Sequence, residues 1–192
     1  MKNFIDLASA RRSVRKYKSD PIPGDVLDKI LRTGQLAPSG NNSQPWRFII
    51  IDDEEVKRNL CEVSGKQKWI IESPITIAIV ADMKSKIKPE FRDNDISIDD
   101  QEHREVLLKT VRDATIAADH MVMAATDEGL GTCWIALFEQ DDIRPVLNVP
   151  QHCYVVAIIT IGYPDEAPSA KPRKPLSDIA SRNSFDREPW SC

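Results

Sequence analysis

Apolar positions along this chain follow two alternating rhythms. Four stretches are dense in β-branched and aromatic residues: 46–51, 75–81, 132–137 and 154–162. Such runs fit strands, and the near-continuous apolarity of Ile75 to Ala81 predicts a strand in the middle of its sheet. Between these runs, apolar residues recur at spacings of three and four. Phe4, Ile5, Leu7 and Ala8 predict a short amphipathic helix over 3–12. Val26, Leu27, Ile30 and Leu31 form one stripe and predict a helix over 24–36, with Pro23 at its start and Gly34 weakening its end. Val56, Leu60 and Val63 predict a helix over 53–64. Asp52-Asp53 stands at its N-cap position and Gly65 at its end. From Glu105 to Glu128 the apolar positions cover much of the circumference. A long helix of that kind is buried on more than one side, in the core or in a dimer interface. Gly129 ends it, and Asp141-Asp142 opens a further helix to about Leu147.

Three stretches fit neither rhythm. Residues 37–45 are small, polar and punctuated by Pro38 and Pro45; held between a helix and a strand, they form a rigid loop suited to binding. Residues 82–104 are rich in Lys, Asp and Glu and read as a surface excursion, either a lid over a site or a solvated insertion. Beyond Gly162 the tail carries Pro164, Pro168, Pro172, Pro175 and Pro189. It cannot build regular structure alone and must lie over something. Helices and strands alternate at uneven spacing, without repeat or linker. One α+β or α/β domain spanning 1–192 is expected, and simple double winding is not.

Composition narrows the function. Hydrophobic content of 41% and charged content of 29% are those of an ordinary globular protein. A net charge of −4 argues against nucleic acid as the main partner. No apolar run reaches membrane-spanning length, and the first residues carry no apolar signal region. Cys61, Cys133, Cys153 and Cys192 stand far apart, with no zinc-like spacing, which fits a reduced cytoplasmic setting.

Familiar catalytic devices are missing. The chain has no glycine-rich phosphate loop of the GxGxxG or GxxxxGK[ST] type and no GxSxG elbow. His103, His120 and His152 are scattered, and each reads as a satisfied or surface histidine. Ser39 has no evident base nearby. The paired aspartates at 52–53, 99–100 and 141–142 look like helix starts. No side chain is therefore expected to act as a catalytic nucleophile or base, and no metal site is expected. If the chain is an enzyme, a cofactor carries the chemistry. One basic run, Arg11-Arg12-Ser13-Val14-Arg15-Lys16-Tyr17-Lys18, is either a solvated face or an anion site.

Four segments together resemble the motifs of the nitroreductase family, in that family's order. They are Arg11-Arg12-Ser13-Val14-Arg15-Lys16-Tyr17, Ala37-Pro38-Ser39-Gly40-Asn41-Asn42-Ser43-Gln44-Pro45-Trp46-Arg47-Phe48, Gly129-Leu130-Gly131-Thr132-Cys133-Trp134-Ile135, and Gly162-Tyr163-Pro164 followed by Lys171-Pro172-Arg173-Lys174-Pro175-Leu176. The second is the most distinctive, and the set spans residues 11–176.

The resemblance implies a three-layer α/β/α sandwich of α+β class, with a mostly antiparallel central sheet, and a homodimer with FMN at the interface. It implies that Arg11, Arg12 and Ser13 contact the FMN phosphate and ribityl chain, and that Arg15 reaches the pyrimidine end of the ring. Lys171, Arg173 and Lys174 would close on the phosphate from the tail. Pro38, Ser39, Gly40 and Asn42 would come from the other subunit. Cys133, Trp134, Ile135 and Ala136 would lie beside the reactive ring edge, with Lys68 and Asp113 as further contacts. The implied activity is ping-pong transfer of hydride from NAD(P)H, through flavin N5, to a nitroaromatic, quinone or related acceptor. A reductive dehalogenase-like enzyme of the same fold, or a flavin-binding redox sensor without turnover, is the alternative. Asp119-His120 departs from the uncharged polar residues common at that place in the family.

Overall fold

In the computed structural model, residues 3–89 and 96–185 are described. Residues 90–95 of the expected excursion and 186–192 of the tail lie outside the described residues. Four strands form one sheet: β1 (Trp46–Ile51), β2 (Ile75–Asp82), β3 (Gly131–Ile135) and β4 (Cys153–Gly162). Their order is β1-β2-β4-β3, and every pairing is antiparallel. β2 is an inner strand, as its apolarity predicts, and seven of its eight residues are buried.

The alternation of side chains along β2 builds two cores. Ile77, Ile79 and Ala81 face one side and Ala78 and Val80 the other, as a period of two requires. On the first side lie α2 (Gly24–Gln35) and α5 (Arg104–Asp127). On the second lie α3 (Glu54–Val63), α4 (Trp69–Glu72) and α6 (Gln140–Val146). The result is the three-layer α/β/α sandwich with an antiparallel centre.

α5 refines its sequence reading. Its fully buried residues, Thr110, Asp113, Ala114, Ala117, Ala118, Met121, Val122 and Ala125, form one stripe. Val111, Ile116 and Ala124 flank that stripe half-buried against the same core, while Leu108 is exposed. The small residues let α5 lie close to its neighbours: a Cβ at Gly34 of α2 would come within 2.6 Å of Met121 Cγ. Gly129 (φ +78°) ends the helix in the left-handed region that glycine favours. Of the expected Asp52-Asp53 pair, Asp53 caps α3, accepting 2.9 Å bonds from the Glu55 and Val56 amides.

α1 (Phe4–Ala10) departs from the pattern that predicts it. It buries no residue, and Phe4 and Ile5 are 66% and 70% exposed. An amphipathic helix whose apolar face points outward has no core of its own to cover.

Candidate functional site

The basic run at 11–18 is extended and stitched to the sheet. Ser13 bridges Thr132 of β3, and the Val14 amide donates to the Thr132 carbonyl at 2.9 Å. Tyr17 bridges Pro164, and the Lys18 amide donates to the Tyr163 carbonyl at 2.9 Å. Buried Val14 and Tyr17 point inward. The Tyr17 hydroxyl donates to the Val14 carbonyl at 2.7 Å and lies 2.7 Å from Thr160 Oγ1. Burial raises its pKa far above the ordinary tyrosine value, so it stays neutral. Anchoring these two side chains turns the intervening cations outward.

Those cations meet the tail around one cavity of about 640 Å³. Arg11, Arg12, Ser13 and Arg15 line it from one side, and Lys171 and Arg173 from the other. Phe4, Ile5 and Ala8 of α1 add an apolar wall. Arg12 also closes the end of α1, donating from Nη1 to the Ser9 carbonyl at 2.6 Å and the Arg11 carbonyl at 2.8 Å. The Arg15 guanidinium carbon lies 5.4 Å from the centroid of the Trp69 ring, a cation–π distance. Lys68 directly precedes that tryptophan at the start of α4. Lys174 is exposed and is not among the lining residues. One carboxylate stands close: Glu166 Oε1 accepts from the Arg15 amide at 2.5 Å.

Beside this cavity runs β3, the last strand of the sheet. Among the described residues its outer edge is bridged only at Thr132. The outward peptide groups from Cys133 to Ile135 form a strand edge open to a planar hydrogen-bonding ligand. The Cys133 and Ile135 side chains are buried, Trp134 is half-buried and Ala136 is exposed just past the strand. Burial raises the Cys133 thiol pKa, so it is no thiolate. The residues fit a ring bearing a phosphate arm: a paired basic clamp, an arginine stacked in place and an open edge meet at one sheet margin.

The 37–45 loop lies at a different cavity, which shares no lining residue with the first. Its backbone is pinned. The Gly40 amide donates to Asp113 Oδ2 at 3.0 Å, and the Gln44 amide to Ser39 Oγ at 2.9 Å. Lys86 Nζ lies 2.7 Å from Asp113 Oδ2 and 3.0 Å from Ser43 Oγ. Asn41, Asn42 and Gln44 all hold positive φ, a tightly wound path. Pro38, Gly40 and Asn42 are nevertheless exposed, and Ser39 is half-buried. The loop is therefore pinned and exposed, and it lines none of the basic cavity of its own chain.

A third grouping has no sequence signature. Asp82, His152 and Cys153 bring ligand-type atoms within 4.8 Å of one another at the end of β2. Asp82 already accepts from the Lys84 amide at 3.0 Å and from Arg47 Nη2 at 3.3 Å, so it caps the turn after the strand. Burial pushes the Cys153 thiol up to about 12 and lowers the His152 pKa.

Sequence reasoning missed Trp69, Lys86 and Glu166. Trp69 had a signal, an aromatic between cations and a helical apolar pair. Lys86 and Glu166 had none, because their partners lie 27 and 151 residues away.

The fold is an antiparallel α/β/α sandwich with a basic cavity at one sheet margin, and its relatives are oxidoreductases. The chain belongs to the nitroreductase family, whose model matches residues 8–163. It is 30% identical over 188 residues to an NADPH-dependent oxidoreductase of Staphylococcus aureus, a match covering 95% of this chain and 74% of that protein. The solved structure of B. megaterium NfrA2 superposes with a TM-score of 0.86 at 29% identity, covering 97% of this chain and 76% of that one. A nitroreductase family protein from Clostridium difficile superposes at 0.76 and 29% identity, covering 95% and 99%. No helix among the described residues is long and apolar enough to cross a membrane.

Proposed function

We propose that the whole chain is one FMN-binding domain that acts as a homodimeric NAD(P)H oxidoreductase, passing reducing equivalents to a nitroaromatic, quinone or related acceptor. The observation that carries this reading is the paired clamp of Arg11, Arg12 and Ser13 with Lys171 and Arg173 around one cavity. A phosphate monoester is close to a dianion, and guanidinium forks hold it by charge-assisted hydrogen bonds. When bound, the flavin supplies hydride chemistry that no side chain here provides. The chain supplies the rest. Arg15, steadied on Trp69, brings positive charge to where reduction builds negative charge. The edge of β3 orients the ring through backbone groups.

Two features support a site completed by a second subunit. The pinned loop bearing Pro38, Ser39, Gly40 and Asn42 does not line the basic cavity of its own chain. α1 leaves Phe4 and Ile5 uncovered beside that cavity, and Leu176 and Ile179 of the tail are also exposed. Apolar surface of this kind suits an interface. Lys68, Asp113 and Lys174 take supporting roles. Lys68 adds charge beside Trp69, Asp113 holds the loop through Gly40, and Lys174 extends the basic tail.

The absorbance spectrum of the purified protein tests the reading directly. A flavin spectrum that bleaches with NAD(P)H and returns with a nitroaromatic or quinone is expected. Colourless protein that refuses added FMN would overturn it, and flavin that NAD(P)H cannot reduce would leave a binding protein without turnover. Light scattering tests assembly: a stable flavin-loaded monomer is incompatible with the two-subunit site.

A further inference from the structure

A second basic cavity remains once the flavin phosphate has its clamp. About 650 Å³ in volume, it lies between the 40–43 loop, the turn at 85–88 and the first half of α5. Lys86, Lys88, Lys109 and Arg112 line it, against a single lining carboxylate, Asp113. Lys86 and Asp113 neutralise each other at 2.7 Å, and both are nearly buried. Lys109 makes an exposed pair with Glu105 at 3.2 Å, one turn away on α5. Lys88 and Arg112 are exposed, and neither has an ion pair among the described residues. In a chain of net charge −4, two cations facing one cavity without an ion pair among the described residues mark a place where an anion is expected to gather.

The flavin carries one phosphate, and the clamp at Arg11 and Arg173 accounts for it. The hydride donor carries more. NADH has a bridging diphosphate, and NADPH adds a 2′-phosphate monoester. The 40–43 loop that borders this cavity belongs to the segment that packs on the flavin in the reading above. The cavity thus adjoins the approach of the donor. A guanidinium fork and an ammonium lining one cavity match a phosphate monoester.

We propose that Arg112 and Lys88 hold the 2′-phosphate of NADPH and make the enzyme select NADPH over NADH. This inference rests on the flavin oxidoreductase reading. Lys86 has a different part, fixing the loop that forms the cavity's floor.

The test compares kcat/KM for NADPH and NADH in the FMN-loaded wild type, Arg112→Ala, Lys88→Ala and the double variant. Calorimetry with 2′,5′-ADP, which carries the 2′-phosphate without a nicotinamide, accompanies it. The wild type is expected to prefer NADPH. The NADPH/NADH ratio should fall roughly tenfold in each single variant, the loss of one charge-assisted bond, and 2′,5′-ADP binding should weaken in step. A wild type that prefers NADH, or a ratio and 2′,5′-ADP affinity unchanged in the double variant, would overturn the proposal. If neither nucleotide reduces the flavin, the oxidoreductase reading fails, while 2′,5′-ADP binding by wild type and double variant still decides the anion site. Unchanged FMN affinity and melting temperature in the variants establish that the fold is intact.

Discussion

Val14 lies against Gly131 so closely that a Cβ at position 131 would come within 2.7 Å of Val14 Cγ2. This contact seats the 11–18 segment on β3 and sets the register of every cation in it. A methyl group has nowhere to go, because Val14 is buried and the Val14 amide is bonded to Thr132.

Gly131→Ala is therefore expected to destabilise the protein by roughly 1–3 kcal/mol, the usual cost of overpacking. It should also weaken FMN binding, although no charged group is removed. Adding Val14→Ala should restore part of both losses. Thermal melts and flavin titration check this, and wild-type values for Gly131→Ala would show that the contact is looser than described.

Removing a clamp residue acts differently. Arg11→Ala or Arg173→Ala should raise the FMN dissociation constant about 10- to 100-fold, with little change in melting temperature of the flavin-free protein. Fewer phosphate contacts also mean a shallower dependence on salt. Titration at two ionic strengths measures both effects. Equal affinity for both variants and the wild type would dissolve the phosphate clamp.

Lys86 and Asp113 are expected to behave as a unit. Lys86→Met leaves Asp113 facing the Gly40 amide with no cation, at a cost of roughly 1–3 kcal/mol. Asp113→Asn should cost a similar amount by stranding Lys86. A double-mutant cycle should return a clear coupling energy, because both side chains are nearly buried. Additive losses would mean that the pair does not hold the loop.

His152 predicts an acid limb in stability. Its pKa is lowered in the folded protein by desolvation. The unfolded chain thus binds the proton first, at the ordinary value of about 6.5. Stability from this group is complete above that pH and is lost as pH falls below it, down to the folded pKa. His152→Gln should flatten the fall of the denaturation midpoint below about pH 6.5. An unchanged slope would assign the acid limb to other groups.

Much of this architecture could be read from the residues. β2 was legible because a buried inner strand needs an unbroken apolar run, and α2 because a half-buried helix needs a stripe. α3 announced its start through the Asp52-Asp53 pair. The basic clamp was legible as a whole only through the family resemblance, since nothing local shows that Arg11 and Arg173 share a cavity. Pairings such as Ser13 with Thr132, and ion pairs such as Lys86 with Asp113, are decided by packing between distant segments and leave no local trace. α1 shows a subtler limit. Its amphipathic pattern demands burial, yet the single chain does not provide it, because periodicity records the apolar face and not what covers it.

The separateness of the two cavities reaches beyond one molecule. If the site is assembled from two chains as proposed, an allele crippled at Arg11 and an allele crippled at Gly40 fail for different reasons. Each still contributes the half that the other lacks, so a mixed pair retains one whole site of its two. A cell carrying both alleles would regain a share of activity that neither gives alone, whereas two different clamp alleles would rescue nothing.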